Sequence, residues 1–243
     1  MFLKESNTRY TKSMVIVKMS EKLVSKEEEW AKVASELDAE KIKLAFYDDT
    51  VISLLGEIKD KKILDYGGGP GVLPLALQKL GGNVKEYDIS EDMLKQAGEK
   101  IGVENLYWKV EDIPKNEFDI IISNLVLCIV SEEEVKRIMT IIKESLNEQG
   151  FAFIGFCNPK LLDVRESNLD FRPEPTHKYE ENHSYMKTKK EGNYEIIENH
   201  RPIEWYEKTF AEVGLTLVDT QFTPEYELKG RTIKDFIIFK LKK

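Results

Sequence analysis

Lys62-Ile63-Leu64-Asp65-Tyr66-Gly67-Gly68-Gly69-Pro70-Gly71 is the stretch on which the fold turns. A short apolar run stops at a glycine cluster, and Val72 to Leu80 then returns to helical spacing and ends at Gly81-Gly82. The order is strand, tight turn, helix. Residues without a Cβ let the backbone turn sharply and approach a ligand closely. The helix that follows presents unpaired amides and the positive end of its dipole. Such a loop suits a nucleotide-like or amino-acid-like ligand.

Working outward, the spacing predicts a strand at Asn83–Ile89, with Asp88 near its end. A carboxylate there can accept hydrogen bonds from both hydroxyls of a ribose. Ser90 reads as the cap of a helix running to about Lys100, with Glu91 and Asp92 in the first turn, where the dipole favours acids. Further strands are expected at Asn105–Val110, Phe118–Ser123 and Phe151–Phe156; the second is nearly all apolar, as befits a strand buried on both faces. Ser131-Glu132-Glu133-Glu134 fits a capping box. Val135, Ile138, Met139, Ile142 and Leu146 mark the buried face of its helix, which Gly150 ends. Toward the N-terminus, 20–38 reads as an amphipathic helix with Trp30, Val33, Ala34 and Leu37 on one face, followed by a helix over Glu40–Glu57.

Residues 158–200 break the alternation. They are polar and hold Pro173, Pro175 and all three histidines. Ser184–Lys189 and Tyr194–His200 are expected to form a hairpin through Glu191-Gly192-Asn193. Long inserted segments in compact domains are usually functional or disordered, so 158–200 reads as a lid. Pro202 then opens a helix through Ile203, Tyr206, Phe210 and Val213, closed by Gly214, and strands follow at Leu215–Thr220 and Phe236–Leu241. Alternating strands and helices imply a mostly parallel sheet with helices on both faces.

The glycine spacing separates two cofactor classes. A nicotinamide or flavin site needs G-x-G-x-x-G/A, and counting from Gly67 and Gly69 puts Val72 in the third place. The observed pattern is G-x-G-x-G, with Asp65 two residues ahead of the first glycine. A phosphate-binding G-K-[ST] loop is absent from it.

Ile63–Gly71 resembles the first motif of the Rossmann-like S-adenosylmethionine-dependent methyltransferases. Glu86-Tyr87-Asp88-Ile89-Ser90-Glu91-Asp92-Met93-Leu94 resembles the second. Val110–Pro114 and Phe118–Leu127 resemble the next two, Asn147–Ile154 is similar to the strand that follows, and His200–Ile203 with the helix to Gly214 resembles a late segment of the branch that often acts on small molecules. The likeness runs in order over roughly 45–241. It implies a three-layer Rossmann-like α/β sandwich: a mostly parallel seven-stranded sheet with an antiparallel last strand, N-terminal helices and an inserted lid. The implied organisation is one methyltransferase domain over 1–243, with 1–57 a helical extension and 158–200 a substrate cap.

The resemblance also assigns roles. Asp65, Tyr66, Gly67, Gly68, Gly69 and Gly71 would hold the methionine part of S-adenosylmethionine, Asp65 near its amino group. Asp88 would bind the ribose, Ile89 and Met93 would flank the adenine, and Glu111, Asp112 and Ile113 would line its edge. Asn124 and Leu125 would sit below the sulfonium, and Tyr47 would close over the methionine end. Lys109 stands where many relatives carry an acid. The expected reaction is direct displacement, leaving S-adenosylhomocysteine, and His183 and His200 are the candidate catalytic bases. Rival readings are a nucleotide-dependent oxidoreductase, disfavoured by Val72, and a module that binds without transfer.

Composition bounds the partners. The chain has 243 residues and a formal net charge of −8. An acidic balance lacks the basic face that neutralises nucleic-acid phosphates, so no nucleic acid is expected, while small molecules and neutral or basic proteins stay open; the resembled branch implies a small-molecule substrate. Glu27-Glu28-Glu29 and Lys187-Lys189-Lys190 read as solvated faces. Two cysteines, Cys128 and Cys157, are too few for a disulfide framework and read as buried thiols; the histidines lack partners at metal-ligand spacing. No apolar run is long enough to span a bilayer and no signal-peptide core is evident, so a cytoplasmic location is expected.

Overall fold

The computed structural model describes residues 47–190 and 194–243. The helix expected over 20–38, the acidic run Glu27–Glu29 and the turn at 191–193 lie outside these residues. The described part of the chain begins with α1 (Tyr47–Leu55), the end of the helix expected to start at Glu40.

The central sheet takes β1 (Lys62–Tyr66), β2 (Asn83–Tyr87), β3 (Leu106–Tyr107), β4 (Phe118–Asn124) and β5 (Leu146–Cys157) as parallel strands. Near the C-terminus come β9 (Thr216–Phe222) and β12 (Phe236–Lys242). The order is β3-β2-β1-β4-β5-β12-β9, with β12 antiparallel to both its neighbours. This is the expected seven-stranded sheet with one reversed strand. Helices α2 (Val72–Lys79), α3 (Glu91–Ile101), α4 (Glu132–Ser145) and α5 (Ile203–Glu212) cover its faces.

Strand β4 shows why three layers form. Side chains alternate across a sheet. Ile120 and Ile122 join Tyr47 and Val51 of α1 and Leu73 and Leu77 of α2 in one core. Ile121, between them, joins Val135, Ile138 and Met139 of α4 and Tyr206 and Phe210 of α5 in the other. All four strand-flanking elements therefore read one apolar run from opposite sides.

Several boundaries differ from expectation. Strand β3 has two residues where six were expected, because it is an edge strand paired only to β2, and the chain leaves it through a 3-10 turn at Val110–Asp112. Helix α4 stops at Ser145, and Gly150 lies inside β5 rather than ending a helix. A Cβ on Gly150 would lie 2.8 Å from the Phe118 carbonyl oxygen, so close approach of strand backbones explains that glycine. The capping box is half formed: Ser131 Oγ accepts from Glu134 N, while the Glu134 carboxylate turns to Arg137. A hairpin of β10 (Tyr226–Leu228) and β11 (Arg231–Ile233) was not expected; Lys229 and Gly230, both at positive φ, form its two-residue turn.

The insertion holds a three-stranded antiparallel sheet: β6 (Asp170–Phe171), β7 (His183–Lys189) and β8 (Tyr194–His200). The last two are the expected hairpin. It is fastened to the loop after β4, where Asn199 N donates to Cys128 O and the Arg201 guanidinium donates to Leu127 O and Val130 O. That loop leaves the C-terminal edge of the sheet, so the insertion stands over the strand ends.

Candidate functional site

The turn after β1 is built around absent side chains. Gly67 has φ 79, a conformation that costs other residues energy. A Cβ on it would lie 2.3 Å from Val126 Cγ2, and one on Gly68 would lie 2.8 Å from Glu86 Cδ. The turn is tied to the end of β2, with Gly67 N donating to Tyr87 O at 2.7 Å. Gly69 N donates to Asp88 Oδ2 at 3.0 Å, and Ser90 N donates to Asp88 Oδ1 at 2.8 Å. Backbone amides thus aim the Asp88 carboxylate before any ligand arrives. Ser90 also caps α3, as its sequence position suggested.

Acids crowd this turn, and neither Asp65 nor Glu86 is held in an ion pair. Asp65 is 2% exposed and its Oδ1 has no hydrogen-bond partner. Burial, then the nearby Asp48 and Asp88 carboxylates, push its pKa up to about 8. Glu86, wholly buried beneath Gly68, has neither carboxyl oxygen bonded, and burial followed by Asp65 pushes it up to about 10. Asp48, on α1, is pushed up to about 6 by burial and then by Asp49. Asp88 is also raised by burial, against its backbone hydrogen bonds.

The end of β4 is held just as firmly. Tyr47 hydroxyl donates to Asn124 Oδ1, and Leu125 N donates to Gly155 O at 2.7 Å. Leu125 sits at φ 60, a strained conformation for a leucine of the kind that gathers at functional sites. Tyr47 itself is fully buried, packed edge-on against Phe236, its hydroxyl in the space that Gly155 leaves empty.

Between these two strand ends lies a cleft of about 630 Å³. Its floor is Asp65, Tyr66 and Gly67–Pro70; Tyr87, Asp88, Ile89 and Met93 form one wall. Asn124, Leu125, Val126, Ile129 and Val130 form the other, with Asp48, Glu134, Arg137 and Lys189 at its margins. The cleft stands at the C-terminal strand ends where the sheet order reverses between β1 and β4, the usual ligand position in such sheets. Its size suits a small-molecule or cofactor site.

The structure therefore brings together Asp65, Tyr66, Gly67, Gly68, Gly69, Asp88, Ile89, Met93, Asn124 and Leu125. Others stand apart. Tyr47 holds Asn124 from below instead of closing over the cleft. Gly71 serves helix packing, since a Cβ there would lie 2.8 Å from Ala97 Cα. Glu111 and Asp112 are exposed on the 3-10 turn, and Ile113 is buried in the core, so none of the three lines the cleft.

The structure places the histidines apart from the cleft. His183 and His200 face each other across β7 and β8, their rings 4.9 Å apart, and His177 stacks on His183 at 4.4 Å. The His183 Nδ1 group bonds Glu181 O and the His200 Nε2 group bonds Tyr179 O. Neither ring lines the cleft; His183 borders a separate hollow of about 250 Å³ with Pro173 and Met186. Burial lowers the His200 pKa, as expected for a neutral structural ring.

The lysine expectation is corrected. Lys187 and Lys189 are buried, and Lys190 pairs with Glu166. Residues two apart on a strand share a face, so Lys187 and Lys189 of β7 point together into the protein. Cys128 and Cys157 are buried free thiols whose pKa values burial raises. Among the described residues there is no metal-holding cluster of His, Cys, Asp and Glu, and no helix long and apolar enough to cross a membrane.

Sequence reading missed Glu86, Asp48, Lys189 and the Glu134–Arg137 pair. That pair was legible as an acid and a base three apart on a helix, close enough to meet.

A family described as "Methyltransferase domain" matches residues 63–150, the segment from β1 into β5. An uncharacterized protein of Haemophilus influenzae is 27% identical over 190 residues, covering 72% of each chain. A solved S-adenosylmethionine-dependent methyltransferase of Clostridium acetobutylicum superposes with a TM-score of 0.59 at 18% identity, covering 88% of this chain and 98% of that one. Another, a 1,6-didemethyltoxoflavin-N1-methyltransferase of Burkholderia thailandensis solved with 1,6-didemethyltoxoflavin and S-adenosylhomocysteine, has a TM-score of 0.55 at 13% identity, covering 98% and 93%. The matched segment begins on the glycine-turn strand and is similar to that methyltransferase family, and the chain shares the Rossmann-like fold of the solved S-adenosylmethionine-dependent methyltransferases.

Proposed function

We propose that this chain moves a methyl group from S-adenosylmethionine to a small-molecule acceptor by direct displacement, working as one domain with 158–200 as the substrate cap. One observation carries the reading. The buried, unbonded Oδ1 of Asp65 stands in the cleft floor beside a turn that a side chain at Gly67 or Gly68 would fill. An adenosyl amino acid, with an ammonium to meet that oxygen, fits these residues.

When bound, S-adenosylmethionine supplies a methyl carbon already activated by its sulfonium. The protein has to hold and align. Asp65 would accept from the ammonium, Asp88 from the ribose hydroxyls, and Ile89 and Met93 would flank the adenine. Asn124, fixed by Tyr47, and Leu125, fixed by Gly155, would define the reacting end. Alignment of this kind can supply roughly 7–11 kcal/mol. The insertion would exclude water from the reaction. With both histidines engaged elsewhere, Asp48 is the cleft carboxylate whose pKa of about 6 suits it to take a proton near neutrality. The apolar wall of Val126, Ile129 and Val130, and the small substrate of the Burkholderia structure, favour a small acceptor.

Calorimetric titration with S-adenosylmethionine tests the reading. Wild type should bind, and Asp88→Ala should lose about ten-fold or more in affinity, the effect of a charge-assisted hydrogen bond. Absence of binding by folded wild type, or unchanged affinity in the variant, would overturn it.

A further inference from the structure

The base of the lid holds a buried ion cluster in which cations outnumber the carboxylates they touch. Asp170 meets three of them: Arg172 Nη2 at 2.9 Å, Lys187 Nζ at 3.1 Å and Lys189 Nζ at 2.8 Å. Glu198 pairs with Lys187 and accepts from the Tyr185 hydroxyl. The three cations thus share two carboxylates. The remaining neighbours do not restore the balance. Cys157 Sγ lies 3.0 Å from Lys187 Nζ as a thiol, its pKa pushed up to about 11. Tyr185 stays neutral, its pKa raised by burial. Asp235 is in no ion pair with the three cations; it engages Tyr226 and Ser167 and feels Arg172 only at longer range. The local field is positive: the cations hold Asp170 at about 2 and Glu198 below its ordinary range although both are buried.

One member of this cluster reaches the cleft. Lys189 is 5% exposed and lines it. The other cleft cation, Arg137, is already engaged by Glu134 through two hydrogen bonds. Three cations share two carboxylates, and Lys189 is the member of the three that lines the cleft, so the surplus charge is available there.

We propose that Lys189 is an anion subsite of the cleft, and that the methyl acceptor is a small organic anion with an apolar body, a carboxylate or phosphate meeting the Lys189 ammonium. The assignment rests on the cleft being the methyl-transfer site. It requires no group beyond those described.

The test uses the full chain and three probes: benzoate, phenyl phosphate and the neutral isostere benzamide, titrated calorimetrically with and without S-adenosylhomocysteine. In wild type at least one anion should bind about ten-fold or more tighter than benzamide, the effect expected of one charge-assisted contact. Comparing the two anions tells carboxylate from phosphate. Lys189→Met keeps the apolar stem, so it should fold, bind S-adenosylhomocysteine as wild type does, and lose the anion preference; Lys189→Arg should keep part of it. The proposal is overturned if wild type binds none of the probes, if it binds benzamide as well as the anions, or if the preference survives in Lys189→Met. An anion preference in a protein that fails to bind S-adenosylhomocysteine would sink the cofactor reading and leave the subsite standing.

Discussion

The cleft floor and the small sheet of β6, β7 and β8 bury the same chemical groups and treat them oppositely. Asp65 and Glu86 lie under the glycine turn in no ion pair, Lys100 only partly offsetting Glu86, and their pKa values rise to about 8 and about 10. Asp170 and Glu198 lie equally deep in the small sheet among Lys187, Lys189 and Arg172, and theirs fall. Desolvation disfavours a carboxylate in both places; only the neighbours differ. A floor of unpaired acids is shaped to receive a cation, as the ammonium of S-adenosylmethionine would be. A cluster with a surplus cation at the cleft would, on the proposal above, receive an anion.

The pH dependence of folding should split along the same line. Floor acids have folded pKa values above their unfolded ones. Their contribution is complete below about pH 4 and is lost as pH rises toward 8 for Asp65 and 10 for Glu86. Asp170, depressed to about 2, contributes above its unfolded value near 4 and loses that contribution as pH falls toward 2.

The largest effect should come from breaking the ion cluster around Asp170. Asp170→Asn leaves three buried cations facing Glu198 alone. Removing one partner of a buried ion pair costs about 3–5 kcal/mol, so thermal melting should fall by at least roughly 6 °C for a chain of this size. An unchanged melting temperature would show that the cations are not held by Asp170. A smaller shift of opposite sign should come from the floor. Glu86→Gln removes a group that resists ionisation, so it should raise stability on the order of 2 kcal/mol at pH 8, roughly 4–8 °C, with little change at pH 5. Destabilisation at pH 8 would mean that Glu86 finds a partner when charged.

What could be read from sequence follows from the range of the interactions involved. The glycine turn was legible because the need for positive φ at Gly67 and for space at Gly68 writes itself into consecutive residues. The core of β4 was legible because an apolar run buried on both faces has no other explanation. Lys189 was not, since its position in the cleft depends on how β7 packs over the sheet. A partial clue existed: Lys187 and Lys189 are two apart in a stretch already read as a strand, which puts both on one face. Glu86 sat inside a motif quoted for Asp88, and only the path of the turn above it reveals its burial. The surroundings of the histidines were not legible, because their ring nitrogens meet the backbone carbonyls of Glu181 and Tyr179 only once the chain before β7 is folded.

The smallest effect belongs to them. His183→Ala should leave the rate of methyl transfer within about three-fold of wild type, below the range of a lost general base. A fall of a hundred-fold or more would return His183 to the reacting centre.

The central claim is that Asp65 awaits a cation. Titrating wild type with S-adenosylhomocysteine at pH 7, in buffers of different ionisation enthalpy, measures the protons exchanged on binding. Asp65, with a pKa of about 8 in the empty cleft, should ionise against the incoming ammonium and release close to one proton per site, and Asp65→Asn should abolish that release. Binding without proton release by wild type, or the same release from the variant, would contradict the account.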